Sequence, residues 1–279
     1  MLERGASLVV GYPDPLEFSS RHGHVAVVKL LLGWKANDTR FSDMRVKEAL
    51  RAASQYGHLE VARVLVEYGT TVHALSHALY HAVERNQIEI ALLLLDSGAS
   101  FNVAPAAADY SAWMLACRHN LLSMMRLLLD RGADPNALDA RGWSPLMTAL
   151  SRPDVLKILL ERGADPNLSF VDGSAALLDV VRYKYRTYLQ AITVLLEHGA
   201  DPNLAHTVSG ETALMLSAPE LRIEAVKLLL EYGADVTQVN REGKSVLDML
   251  GRTRKYGEVV ELCAAYIECN KPGAKPLLK

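Results

Sequence analysis

The amino-acid sequence predicts an all-α solenoid of stacked helix-turn-helix units, and three observations carry that prediction. The phrase "LLLDRGADPN" (127–136) returns as "LLERGADPN" (159–167), "LLEHGADPN" (195–203) and "LLEYGADV" (229–236). Glycines at the same place (Gly69, Gly98, Gly132, Gly163, Gly199 and Gly233) lie 29, 34, 31, 36 and 34 residues apart, a period near 33 that marks a repeat architecture. Half of the residues are hydrophobic yet only 6% are aromatic, so leucine, alanine and valine fill a core of packed helices rather than a β-sandwich.

Each unit is legible element by element, as residues 143–167 show. The Ser144 hydroxyl caps a first helix, and Pro145 takes its first position, where a missing N–H costs nothing. Leu146, Ala149 and Leu150 form one apolar face. A break at Arg152-Pro153 reverses the chain into a second helix with Val155, Leu156, Ile158, Leu159 and Leu160 on its buried side. Gly163 closes that helix in the left-handed conformation, and Asp165, Pro166 and Asn167 supply turn chemistry. Such a pair is too thin to bury its own faces, so it must stack on neighbours. Small residues at matching places (Ala53, Ala82, Ala116 and Ala149) let the helices approach.

The pieces "RGWSPLMTAL", "SGETALMLSA", "EALRAASQYGHLEVARVLVEYG", "RHGHVAVVKLLL" and three copies of "GADPN" together resemble the ankyrin-repeat family. The resemblance covers residues from about 14 to 269 and implies an ankyrin-repeat solenoid of about eight units with short β-hairpin fingers. On this reading 1–279 is a single array, with 1–13 a partial unit or cap and 270–279 a flexible tail. No finger fits between His73 and Ser76, so some fingers are missing from the N-terminal third. That economy is similar to arrays of large DNA viruses and bacterial effectors. The unit at 143–163 is two residues short at its inter-helix turn, and the unit at 174–199 is three residues long there, giving "VRYKYRTYLQ" (181–190).

Several chemistries are excluded by the residues themselves. With 30 Lys+Arg against 32 Asp+Glu, and no continuous basic stripe, nucleic acid is not the expected partner. Cys117, Cys263 and Cys269 are scattered and form no CxxC. No apolar run approaches the roughly 18–20 residues that span a bilayer. A cytoplasmic, nucleo-cytoplasmic or host-delivered monomer away from the membrane is therefore expected. His73, His77 and His81 recur at four-residue spacing, but the repeat register puts a turn between His73, at the closing Asn place, and His77, at the capping Thr place. Only His77 and His81 are then expected to share a helix, and no metal site is assigned. Gly243-Lys244-Ser245 resembles the tail of a phosphate loop, yet Gln238 stands where the leading glycine belongs. Cys117 and Trp113 read as core. Neither an enzyme nor a cofactor is expected.

Function is then expected on the inner curve, where fingertips and first-helix ends stand exposed. Tyr110, Arg118, His119, Arg141, Trp143, Arg182, Tyr183, Tyr185 and Arg186 fall on adjacent units and form the predicted partner-binding cluster. Arginine and aromatic side chains dominate interface energetics. Their basic tone favours a protein partner with an acidic or phosphorylated segment. Nucleic acid or a small anionic ligand is the alternative.

Overall fold

The computed structural model describes residues 14–33, 43–102, 110–139, 141–170, 172–183, 186–251 and 254–269. Lys35, Tyr185, Arg252, Thr253, the segment 1–13 and the tail 270–279 lie outside the described residues. The chain divides into two compact units, Met1–Asp134 and Pro135–Lys279.

The first unit holds α1 (Pro15–Arg21), α2 (Val25–Gly33), α3 (Asp43–Tyr56), α4 (Leu59–Tyr68), α5 (Val72–Glu84), α6 (Ile88–Asp96), α7 (Ala112–Arg118) and α8 (Leu122–Asp130). First helices stack in the order α1, α3, α5, α7, and second helices in the order α2, α4, α6, α8. Leu16, Ala49, Leu50, Ala78 and Leu79 are fully buried along the first row. Successive pairs also interlock through side chains. The His58 ring lies 2.8 Å from the Arg21 carbonyl of the preceding pair. Gly23, at φ +73°, leaves the room for it: a Cβ there would sit 2.7 Å from the imidazole. The Gly-His turn is thus a structural joint.

The helix α5 corrects one sequence expectation. His73 and His77 are not separated by a turn, because α5 runs unbroken from Val72 and the Thr71 hydroxyl caps it, accepting from the Ala74 N–H at 3.3 Å. Between Gly69 and Thr71 no finger interrupts the chain, so residues that would form one instead extend the first helix to 13 residues. The unrecognised signal was Thr71 followed by Ala74, Leu75 and Ala78, an apolar phase that already runs at helical spacing. All three histidines therefore lie on one helix, and the rings of His77 and His81 meet edge to face at 5.1 Å. Among the described residues no group of three or more His, Cys, Asp or Glu side chains is arranged to hold a metal.

Burial, then Lys47 and the neighbouring His81, hold the His77 imidazole down at about 4. Its folded value is below the ordinary 6.5, so its contribution to stability is present above pH 6.5 and fades as pH falls toward 4. We expect His77→Gln to flatten the fall in melting temperature of the chain between pH 7 and 4.5. Parallel pH curves for the two proteins would contradict that origin.

The second unit holds α9 (Pro145–Thr148), α10 (Pro153–Glu161), α11 (Ala176–Tyr183), α12 (Tyr188–Glu197), α13 (Ala213–Ser217), α14 (Ile223–Glu231), α15 (Val246–Leu250) and α16 (Gly257–Cys269), with a short 3-10 turn at Arg254–Tyr256. Ser144, Thr212 and Ser245 cap their helices as the register requires. Ser245 adds a reciprocal capping box with Asp248, which assigns the Gly-Lys-Ser sequence to a helix start. The fingers are tight turns rather than ladders. Asp139, Phe170, His206 and Asn240 each close one by donating a backbone N–H to the carbonyl of Trp143, Ser174, Glu211 or Lys244. Val239 and Ser245 form an isolated bridge, and no strand occurs among the described residues.

The closing Asn of "GADPN" has a use beyond turn chemistry. Asn136 donates to the Gly163 carbonyl at 3.0 Å and accepts from the Asp165 N–H at 2.7 Å. Asn167 makes the same pair with Gly199 and Asp201, at 3.0 and 2.7 Å. Asn203 makes it with Gly233 and Asp235, at 3.0 and 2.6 Å. Each Asp then turns its carboxylate back to the N–H two residues on, at 2.8, 2.8 and 2.7 Å. One short side chain per repeat thereby staples it to the next. The ladder ends where Thr237 replaces the asparagine.

Candidate functional site

In the first unit, three of the predicted residues gather around α7. The Ser111 hydroxyl caps this helix, accepting from the Met114 N–H, so Tyr110 stands just before its start and Arg118 at its end. Arg118 folds back along the helix, donating to the Tyr110 hydroxyl at 2.9 Å with its guanidinium 4.7 Å from the ring centroid. This contact fixes two rotamer-rich side chains before any partner arrives, which lowers the ordering cost of binding. His119 is exposed at the C-cap. Trp113 and Cys117 are fully buried and take no part in the surface.

In the second unit the remaining residues form two groups. Arg141 and Trp143 sit on the finger at 139–143, where the Asp139 carboxylate accepts from both of their backbone N–H groups at 2.8 Å. The turn fixes the backbone and leaves the side chains outside, with Trp143 47% exposed. Arg182 and Tyr183 end α11, and Arg186 follows in the long turn; all three are exposed, Tyr183 by 58%. Fingers precede the first helices and turns follow them, so the two groups stand at opposite ends of these helices. The eight residues of α11 separate such ends by about 12 Å.

A family model describing ankyrin repeats in three copies matches residues 16–105, 103–170 and 172–272. The chain belongs to the ankyrin-repeat family. Among curated proteins it is 30% identical over 146 residues to the ankyrin repeat and KH domain-containing protein mask-1 of Caenorhabditis elegans, covering 50% of this chain and 6% of that protein. It is 28% identical over 248 residues to the ankyrin repeat and SAM domain-containing protein 6 of Danio rerio, covering 79% of this chain and 29% of that one. The chain thus spans less than a third of either relative. The solved ankyrin repeat domain of Bcl-3, described as a member of the IkappaB protein family, superposes with a TM-score of 0.67 at 26% identity, covering 79% of this chain and 99% of that one.

Ankyrin repeats are protein-interaction modules, and no helix among the described residues is long and apolar enough to cross a membrane. Within this ankyrin array the electrostatics of the α11 unit are distinctive. Asp179 is 5% exposed, and burial, reinforced by the charge of Asp172, pushes its carboxyl up to about 6 against a weak hydrogen bond from Ser174. Asp172 is held below the ordinary range by the N–H and hydroxyl of Ser174, at 3.0 and 2.8 Å. A raised carboxyl contributes most below its unfolded value of 3.8 and destabilises as pH rises through 6. Asp179→Asn is therefore expected to stabilise the chain by about 2 kcal/mol at pH 7.5 and by nothing measurable at pH 3.5. A melting temperature unchanged at pH 7.5 would show that Asp179 carries no such penalty.

The sequence reading overlooked the cations that lie after the inter-helix turns, because it looked only at the residues before them. Arg222 donates to the Val181 carbonyl and stacks on Tyr188 at 5.4 Å, and Thr187 donates to the Ser151 carbonyl at 2.9 Å. These bonds tie one turn to the next. Arg152 and Arg222, each standing just before a second helix, were the available signal.

Proposed function

We propose that this chain is a non-catalytic scaffold that acts as a monomer in a cytoplasm and recognises a protein partner carrying an acidic or phosphorylated segment. The observation that carries this reading is the exposure of Trp143 and Tyr183, 47% and 58%, the first on a finger closed by a backbone hydrogen bond and the second at the end of α11. Large aromatic groups exposed on a fixed backbone are the anchors that protein interfaces use. Tyr110, Arg118 and His119 extend the recognition surface in the first unit. Arg141, Arg182 and Arg186 extend it in the second. A second reading, binding of nucleic acid or a small anion, draws on the same arginines; it predicts a steep loss of affinity with salt, because phosphate contacts release counterions.

The test is a comparison of proteins retained by the immobilised chain with those retained by a variant carrying Arg118→Ala, Trp143→Ala and Tyr183→Ala. We expect the variant to lose the specific partner while keeping its helicity. Equal retention by both would refute this assignment of the surface.

A further inference from the structure

We propose that the groove between α3 and α5 in the first unit is a carboxylate subsite, in which the Lys47 ammonium and the His77 imidazole together hold an acidic side chain of the partner. The inference rests on the partner-binding reading above and gives its acidic segment a contact that reading lacks. α3 and α5 are neighbours in the row of first helices, and α5 packs in turn on α7, which ends at Arg118. No finger precedes α5, so helix rather than hairpin forms the wall at this repeat. The charges around the groove leave one cation over. Arg51 takes Glu48 at 2.6 Å and Glu17 at 2.8 Å, and His81 meets Glu84 through Nδ1 at 3.2 Å. Half-buried Lys47 makes no hydrogen bond or ion pair with any described residue.

His77 is placed to donate there without a charge of its own. Its Nδ1 is sealed from solvent with no hydrogen-bond partner, while the residue as a whole is only half-buried. A neutral imidazole keeps one N–H, and an unpaired buried donor is costly, so the proton sits on the accessible Nε2. Burial first, and then the charge of Lys47, keep the ring neutral at pH 7; His81, Glu48 and Arg51 act on it more weakly, and no charge of α6 or α7 ranks with these. Lys47 and His77 therefore meet from two helices, one as an unpaired ammonium and the other as an uncharged N–H donor. A carboxylate accepts from both at once, and its bond to the ammonium is of the strong, charge-assisted kind. A metal cation is disfavoured at the same place, because Lys47 and Arg51 repel it.

The test is fluorescence anisotropy of the full chain with a labelled octaglutamate peptide, and octalysine and a single-stranded oligothymidine serve as comparisons. We expect octaglutamate to bind and octalysine not to. Its affinity should fall about tenfold in Lys47→Met, the scale of one hydrogen bond to a charged group. His77→Leu should weaken it severalfold, whereas His77→Gln, whose amide N–H reaches the place of Nε2, should bind nearly as the parent does. Lys157→Met, on α10 of the second unit, should also bind as the parent does. Melting curves establish that each variant folds. No binding of octaglutamate, unchanged affinity in Lys47→Met, His77→Gln as weak as His77→Leu, or tighter binding of oligothymidine would overturn the inference. If octaglutamate ignores Lys47 and His77 while partner retention still depends on Arg118, Trp143 and Tyr183, this inference alone fails. Loss of that dependence as well removes the broader reading.

Discussion

Trp113→Ala is expected to cost about 3–5 kcal/mol, the usual range for emptying a large aromatic from a closed core. Trp113 is fully buried on α7, in a place where the other units put a leucine. Its ring fills more volume than leucine would, and its indole N–H donates to the Asp134 carbonyl at 2.9 Å. The one side chain therefore joins the α7 core to the loop that closes α8. Alanine leaves a cavity between helices that cannot collapse, since Met114, Leu115 and Met125 are already packed at or below 5% exposure. Trp113→Phe should recover most of the packing while leaving the Asp134 carbonyl without its donor, for a loss of about 1–2 kcal/mol. Urea unfolding of the three proteins checks the order, and an alanine variant as stable as the phenylalanine one would contradict the packing argument.

The second large effect is expected from the asparagine ladder. Each of Asn136→Ala, Asn167→Ala and Asn203→Ala removes one hydrogen bond to a glycine carbonyl and one from an aspartate N–H of the next repeat. At about 0.5–1.5 kcal/mol per bond, each substitution should cost about 1–3 kcal/mol. The ladder lies at junctions between neighbours, and a solenoid is stable only through such junction terms. The triple variant should consequently lose cooperativity, with hydrogen exchange accelerating in α10, α12 and α14 ahead of α4 and α6. Asn167→Asp provides a finer probe, because a carboxylate keeps the acceptor for the Asp201 N–H but loses the donor to the Gly199 carbonyl. Uniform acceleration across both units would assign the ladder no local role.

The contrast between these two effects shows how far the sequence alone reaches. Ser144, Pro145 and Gly163 announce a helix start and stop through chemistry local to a few residues, and the structure places them so. Trp113 and Cys117 were readable as core because the repeat supplies their register. The partners of Asn167 were not readable, because the residues it joins lie 32 and 34 positions away and turn chemistry already explained it. The reading of α5 failed for a related reason: a register carried over from units with fingers was imposed on a unit without one, and His73 was placed in a turn that does not form. For the surface, the sequence marks which residues vary between copies. It does not show that Arg118 folds onto Tyr110, or that Arg141 and Trp143 occupy fingers while Arg182, Tyr183 and Arg186 occupy turns.

The central claim is that the repeated phrases are scaffold and the residues between them carry recognition. The most direct test measures partner affinity and melting temperature together for two variants of the full chain. Arg118→Ala/Trp143→Ala/Tyr183→Ala should lose at least tenfold in affinity with its melting temperature nearly unchanged. Asn167→Ala should lower the melting temperature while binding, measured well below the transition, stays close to that of the parent. The opposite pattern, full affinity in the surface variant, would contradict the account.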